Sequence, residues 1–134
     1  MRPIERTNDF VVKFANVNGS GSASANGLFA KAVLRMGVPV AARNIFPSNI
    51  QGMPTWYEVR VVEAGWRGRR GGVDLAVAMN PETWTADVSE IEPGGYLVYD
   101  GTKPITKERV RADVTAIGVP LTALCHEAFT DARQ

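Results

Sequence analysis

Apolar stretches of strand or helix period alternate along the chain with short polar connections rich in glycine and proline. Residues 10–17 are dense in β-branched and aromatic side chains and predict a mostly buried strand. Small residues fill 18–24, and a helix is expected over 25–36. There Leu28, Phe29, Ala32, Val33 and Met36 recur at i, i+3, i+4 spacing and predict its apolar face. Gly37 and Pro39 end that helix. A short strand over 38–44 is expected beside the first, completing a right-handed βαβ unit. Residues 45–54 read as a loop and 56–62 as a strand. The glycine-rich 63–72 segment reads as an exposed hairpin connection. Residues 73–79 are apolar enough for a central strand. Asn80-Pro81 has the form of an N-cap followed by proline at the first helical position, opening a helix to about residue 91. Gly94-Gly95 closes that section. A strand over 96–99, helical turns over 106–112, a strand over 114–119 and a helix over 121–129 complete the chain. The alternation predicts a three-layer α/β fold: a mostly parallel or mixed sheet, flanking helices and one antiparallel hairpin.

Composition sharpens this picture by exclusion. The chain has 134 residues, 45% of them hydrophobic and 22% charged, which suits one globular domain and not a disordered segment. The net charge is +1, so no broad basic field recommends nucleic acid or an anionic membrane as partner. No apolar run approaches the roughly 18 residues of a membrane span. The single cysteine, Cys125, excludes an internal disulfide and an iron–sulfur cluster held by this chain, and suits a cytoplasmic location. His126 is the single histidine, so a His/Cys metal site is not expected. Cys125 and His126 are adjacent and would point in different directions on a helix. A core thiol beside a surface imidazole is the expected arrangement. Trp56, Trp66 and Trp84 read as core or interface anchors, and Arg67, Arg69 and Arg70 as a solvated hairpin tip.

Two loops carry candidate chemistry. Residues 18–27 lie between the first strand and the first helix and include Gly19, Ser20, Gly21, Ser22, Ser24 and Asn26. Glycines there admit a ligand to the backbone, the first helical amides point outward, and the helix dipole favours an anion such as phosphate. The loop is not a P-loop, since no lysine follows its last glycine. It also departs from the dinucleotide-binding fingerprint in its third glycine and in lacking an acidic residue about 20 positions on. A tight strand-to-helix turn that binds nothing satisfies the same spacing. The second loop contains Ser48, Asn49, Gln51 and Gly52. It is long and polar, the kind of connection that more often carries function. It is expected at the same sheet edge as the glycine loop. Packing against Trp56 and Tyr57 is the structural alternative.

These segments, with Arg35-Met36-Gly37-Val38-Pro39-Val40, Phe46 through Arg60, Ala78-Met79-Asn80-Pro81 and Pro93 through Asp100, resemble the amino-terminal gamma domain of 2-oxoacid:ferredoxin oxidoreductase alpha subunits. The resemblance runs in order through nearly the whole chain. It implies oxidative decarboxylation of a 2-oxoacid with coenzyme A to an acyl-CoA and reduced ferredoxin. It also implies that residues 1–134 form one gamma-type domain that stops short of that domain's usual end. Coenzyme A contacts are then expected from Gly19, Ser20, Gly21, Ser22, Ser24, Asn26, Ser48, Asn49, Gln51, Gly52 and Arg60. No catalytic residue and no metal ligand are expected in this chain. Thiamine diphosphate, Mg²⁺ and the iron–sulfur cluster would belong to partner domains or subunits, with ferredoxin as acceptor. The isolated chain would then be inactive. Many gamma domains carry Gly-Gly-Gln-Gly where this chain has Gly21-Ser22-Ala23-Ser24, and Arg-Gly-Gly where it has Ile50-Gln51-Gly52. Both departures match one subgroup of alpha subunits. A stand-alone phosphate- or nucleotide-binding module and a structural interface domain are the alternative functions.

Overall fold

The computed structural model describes residues 2–66, 68 and 70–129. In chain order they form β1 (Asp9–Val17), α1 (Ser22–Arg35), β2 (Val40–Ile45), β3 (Pro54–Val62), β4 (Val73–Ala78) and α2 (Trp84–Ser89). Then come β5 (Ile91–Asp100), a 3₁₀ turn (Lys107–Arg109), β6 (Thr115–Val119) and α3 (Leu121–Ala128). The six strands make one mixed sheet in the order β2-β3-β1-β4-β5-β6. β1, β4, β5 and β6 are mutually parallel, while β3 runs antiparallel to both β1 and β2.

Strand alternation divides the interior into two cores. Phe10 and Phe14 of β1 pack with Val59, Val61 and Tyr57 of β3 against Ala30 and Val33 of α1. Val11, one residue out of phase, packs with Ala76, Ala78 and Leu97 against Trp84 and Val88 of α2. The two helices therefore cover opposite faces, and the expected α/β/α layering is observed.

The strand order differs from the expected βαβ pair. β3 lies between β1 and β2, with Phe14 opposite Tyr57 and Tyr57 opposite Asn44. Burial explains the choice: Val59 and Val61 are 0% exposed, whereas β2 carries Ala42, Arg43 and Asn44 in solvent and is suited to an edge. The antiparallel hairpin is accordingly β2–β3. The 63–72 segment is not a hairpin connection, because β1 separates β3 from β4. It passes the amino end of β1, where the Glu63 amide donates to the Asn8 carbonyl at 2.8 Å. Arg67 and Arg69 lie outside the described residues. Arg70 pairs with the buried Asp74, so it is not a free solvated charge.

Three local expectations also change. α1 begins at Ser22, and it turns Asn26 and Ala30 to the sheet, with Leu28 66% and Met36 79% exposed. Small residues let the helix approach closely: a Cβ on Gly27 would already lie 3.4 Å from the Tyr57 hydroxyl. α2 begins at Trp84 after Thr83, not at Pro81. Asn80 is instead 1% exposed, accepting from the Glu82 amide at 3.0 Å and donating to the Asn16 carbonyl at 3.4 Å. Finally, Gly94-Gly95 lies within β5, which starts at Ile91. A Cβ on Gly95 would stand 2.6 Å from Ile91 Cγ2 and 2.8 Å from the Asp74 carbonyl, so the strand crosses its neighbour where no side chain fits.

Candidate binding site at the carboxy end of the sheet

β1 and β4 are adjacent and parallel, but the chain leaves them in opposite directions. After β1 it passes through α1 to the β2–β3 side; after β4 it passes through α2 to β5, on the other face. Such a switch point opens a crevice outside the carboxy ends of the two strands, where α/β folds bind ligands. The glycine loop follows β1, and Met79-Asn80-Pro81 follows β4. The Met79 amide ties the two, donating to the Ala15 carbonyl at 2.9 Å.

The glycine loop has the geometry of an anion cradle. Gly19 and Gly21 adopt φ of +83° and +76°, a region open to glycine at little cost. Gly21 is the N-cap of α1 and supplies no side-chain cap. Its carbonyl accepts from the Ser24 and Ala25 amides. The Ser22 and Ala23 amides have no hydrogen-bond partner among the described residues. Orphan amides at the positive end of a 14-residue helix attract an oxyanion. A Cβ on Gly21 would meet nothing within 4 Å, so the space beside this turn is open. The Ser20 hydroxyl turns inward to the Val17 carbonyl at 2.7 Å, leaving Ser22 and Ser24 as the outward hydroxyls of this turn. Asn26 is buried with its Nδ2 unpartnered, and side chains lean toward the start of their helix.

The second loop, residues 46–53, joins the glycine loop directly. The Asn18 amide donates to the Met53 carbonyl at 2.8 Å, and the Gly52 amide to the Asn18 carbonyl at 2.9 Å. Asn18 Nδ2 donates to the carbonyls of Ser48 and Ile50, both at 3.2 Å. The Gln51 stem packs over Gly19, where a Cβ would come within 2.8 Å of Gln51 Cγ. The Ser48 hydroxyl accepts from the Ile50 amide at 3.2 Å, and Asn49 is exposed. Ten of the eleven predicted contact residues thus share one end of the sheet. Arg60 does not: it lies opposite Val11, six residues back along β1 from Val17, roughly 20 Å away at strand rise. Its guanidinium is engaged by Asp9 at 2.5 Å and by the Phe10 and Val61 carbonyls.

The roles of three supporting residues were not read from the sequence. Asn18 bridges the loops; the visible signal was an asparagine opening a turn. Asn80 clamps the β4 turn. Asp87 of α2 accepts from Trp56 Nε1 at 2.8 Å and from the Thr83 hydroxyl at 2.6 Å, fastening the start of β3 to α2. Burial raises the Asp87 pKa above the ordinary carboxylate value, against those two donors and nearby Lys13. Cys125, expected in the core, is exposed on α3. Trp84 is buried, whereas Trp66 is exposed.

Comparison with known proteins agrees with this architecture. The family model described as pyruvate ferredoxin/flavodoxin oxidoreductase matches residues 11–133. The chain belongs to that family. Within it, the chain is 34% identical over 86 residues to the alpha subunit of 2-oxoacid:ferredoxin oxidoreductase 2 from Aeropyrum pernix, covering 63% of this chain and 13% of that protein. A 2-oxoglutarate:ferredoxin oxidoreductase from Magnetococcus marinus, solved with 2-oxoglutarate, coenzyme A and succinyl-CoA bound, superposes with TM-score 0.78. The identity is 26%, over 91% of this chain and 22% of that one. The pyruvate oxidoreductase subunit PORC from Thermotoga maritima shares the fold at TM-score 0.69 and 21% identity, over 90% of this chain and 67% of that one. This member of the oxidoreductase family therefore spans a small part of the Aeropyrum pernix and Magnetococcus marinus chains and about two thirds of the Thermotoga maritima subunit. Among its described residues no helix is long and apolar enough to cross a membrane.

Proposed function

We propose that this chain is the gamma-type domain of a 2-oxoacid:ferredoxin oxidoreductase and that its two carboxy-end loops hold coenzyme A. The observation that carries the reading is the uncapped start of α1, whose Ser22 and Ala23 amides are unpartnered among the described residues and follow a glycine with open space beside it. Coenzyme A presents phosphates, the groups such amides hold. Family membership and a neighbour solved with coenzyme A support the same ligand. The ten gathered residues offer amides, hydroxyls and carboxamides but no titratable side chain. These ten residues can bind and orient a substrate through neutral hydrogen-bonding groups. The one cysteine cannot furnish the four thiolates of an iron–sulfur cluster. In this reading the cluster, thiamine diphosphate and Mg²⁺ reside in partner domains or subunits. Ferredoxin accepts the electrons, and the complex works in the cytoplasm.

Hydrogen exchange of the assembled enzyme with and without coenzyme A tests the assignment. Exchange should slow over 18–24 and 46–53 and stay unchanged over 57–62. A footprint confined to other segments would remove these loops from the site.

A further inference from the structure

The tip of the second loop has few attachments of its own. At its neck the Thr55 hydroxyl donates to the Ile45 carbonyl at 3.1 Å. At its far end the backbone exchange between Asn18 and Gly52-Met53 extends the β1–β3 ladder by one pair beyond Val17 and Pro54. Between these anchors, residues 48–51 are held by the Ile50–Ser48 contact, which is internal to the tip, by the Met53 amide on the Ile50 carbonyl at 3.3 Å, by the Gln51 stem on Gly19, and by Asn18 Nδ2. That nitrogen carries two hydrogens and meets two carbonyls, those of Ser48 and Ile50, so donors and acceptors match one to one. Asn18 directly precedes Gly19, the first positive-φ residue of the anion cradle.

We propose that Asn18 is a positioning residue that couples the 48–52 tip to the α1 cradle, so that both walls meet coenzyme A as one unit. The coupling rests on the reading that these loops hold coenzyme A. Its physical basis is pre-organisation: if the tip detaches, only the attached fraction binds, and apparent affinity falls by that fraction.

The test uses the assembled enzyme carrying Asn18→Ala or Asn18→Asp. The aspartate keeps the shape but turns a double donor into an acceptor facing two carbonyls. Exchange over 48–52 should accelerate about tenfold in both variants, the effect of losing two neutral hydrogen bonds. The KM for coenzyme A should rise about threefold or more with kcat unchanged, a split that general destabilisation would not produce. In wild type, protection of 19–24 and of 48–52 should rise with a single midpoint as coenzyme A is titrated, a measurement that needs no variant to fold. Unchanged exchange in folded Asn18→Ala, wild-type behaviour of Asn18→Asp, or two separate midpoints would overturn the coupling. Faster exchange with an unchanged coenzyme A KM would leave the loops coupled and overturn the placement of coenzyme A between them.

Discussion

Substitutions at Gly21 separate the backbone's requirement from the ligand's. Its φ of +76° favours glycine, and a Cβ there would meet nothing within 4 Å. Any cost to folding is therefore conformational and not steric. Alanine in left-handed geometry costs about 1 kcal/mol, partly offset by about 0.5 kcal/mol from a stiffer unfolded chain. For a chain of this length 1 kcal/mol corresponds to a Tm shift of about 3–4 °C. Gly21→Ala should therefore lower Tm by about 2 °C. Gly21→Asn should lower it less, since asparagine tolerates this region. Gly21→Val should lower it most, because β-branching disfavours positive φ further. Ligand binding should follow a different order. Any side chain at Gly21 adds bulk next to the Ser22 and Ala23 amides, and an asparagine at this N-cap position can also compete for the Ala23 or Ser24 amide in the manner of a cap. Gly21→Asn should thus combine near-normal stability with a loss of coenzyme A affinity of tenfold or more, about 1.4 kcal/mol. Thermal melts and coenzyme A titration of the assembled enzyme measure both quantities. Wild-type affinity in folded Gly21→Asn and Gly21→Val would refute the cradle.

Further predictions concern stability, charge and activity. Gly95→Ala should lower Tm by about 10 °C, an overpacking cost near 3 kcal/mol, because its Cβ would meet the Asp74 and Glu92 carbonyls as well as Ile91; melts of Gly95→Ala beside Gly21→Ala test the contrast. Asp100 accepts from the hydroxyls and amides of Thr102 and Thr122, which hold its pKa well below the usual 3.8. Its contribution is present above pH 4 or so and lost as pH falls through the lowered value, so Asp100→Asn should flatten the acid limb of a Tm–pH curve. Asp87 has the opposite sign: burial penalises its ionised form, so wild type should gain stability relative to Asp87→Asn as pH falls through the raised pKa toward the ordinary 3.8 and lose that gain as pH rises back through it, and parallel melts would show it. The purified 134-residue chain should not oxidise pyruvate or 2-oxoglutarate when given thiamine diphosphate, coenzyme A and a viologen dye; turnover above background would contradict the assignment of chemistry to partner domains.

Local patterns along the chain were legible where a single element decides its own state. β1, β4, β6 and α3 lie within a residue or two of expectation, because apolar period and bounding glycines or prolines determine them. The meeting of the two loops was also legible from chain order. Features set by distant partners were not. Nothing within residues 38–44 reveals that β3 will displace them from β1; that depends on how completely Val59 and Val61 can be buried. The sheet-facing side of α1 follows closeness of approach more than hydrophobicity, so Asn26 and Ala30 outrank Leu28 and Met36. Gly94-Gly95 looks like a terminator but marks a crowded crossing inside β5, a reading that needs Asp74 and Ile91 in place. Arg60 sat in a stretch of family-like sequence, yet strand period and register carry it toward Asp9, at the other end of the sheet.

The placement of β1 between β3 and β4 also bears on how the chain acquires its fold during synthesis. Val17 pairs with Pro54, Asp9 with Val62 and Ala15 with Ala78, so the first strand made finds its two neighbours 37 to 63 residues later. At about 5–20 residues per second, the ribosome delivers those partners roughly 2–13 s after β1 itself. During that interval Phe10, Val11, Val12 and Phe14 have neither ladder, and the β2–β3 hairpin is the first long-lived sheet fragment that can offer them one. Nascent chains halted before residue 54 should therefore engage chaperones through β1, and chains halted after residue 62 should engage them less.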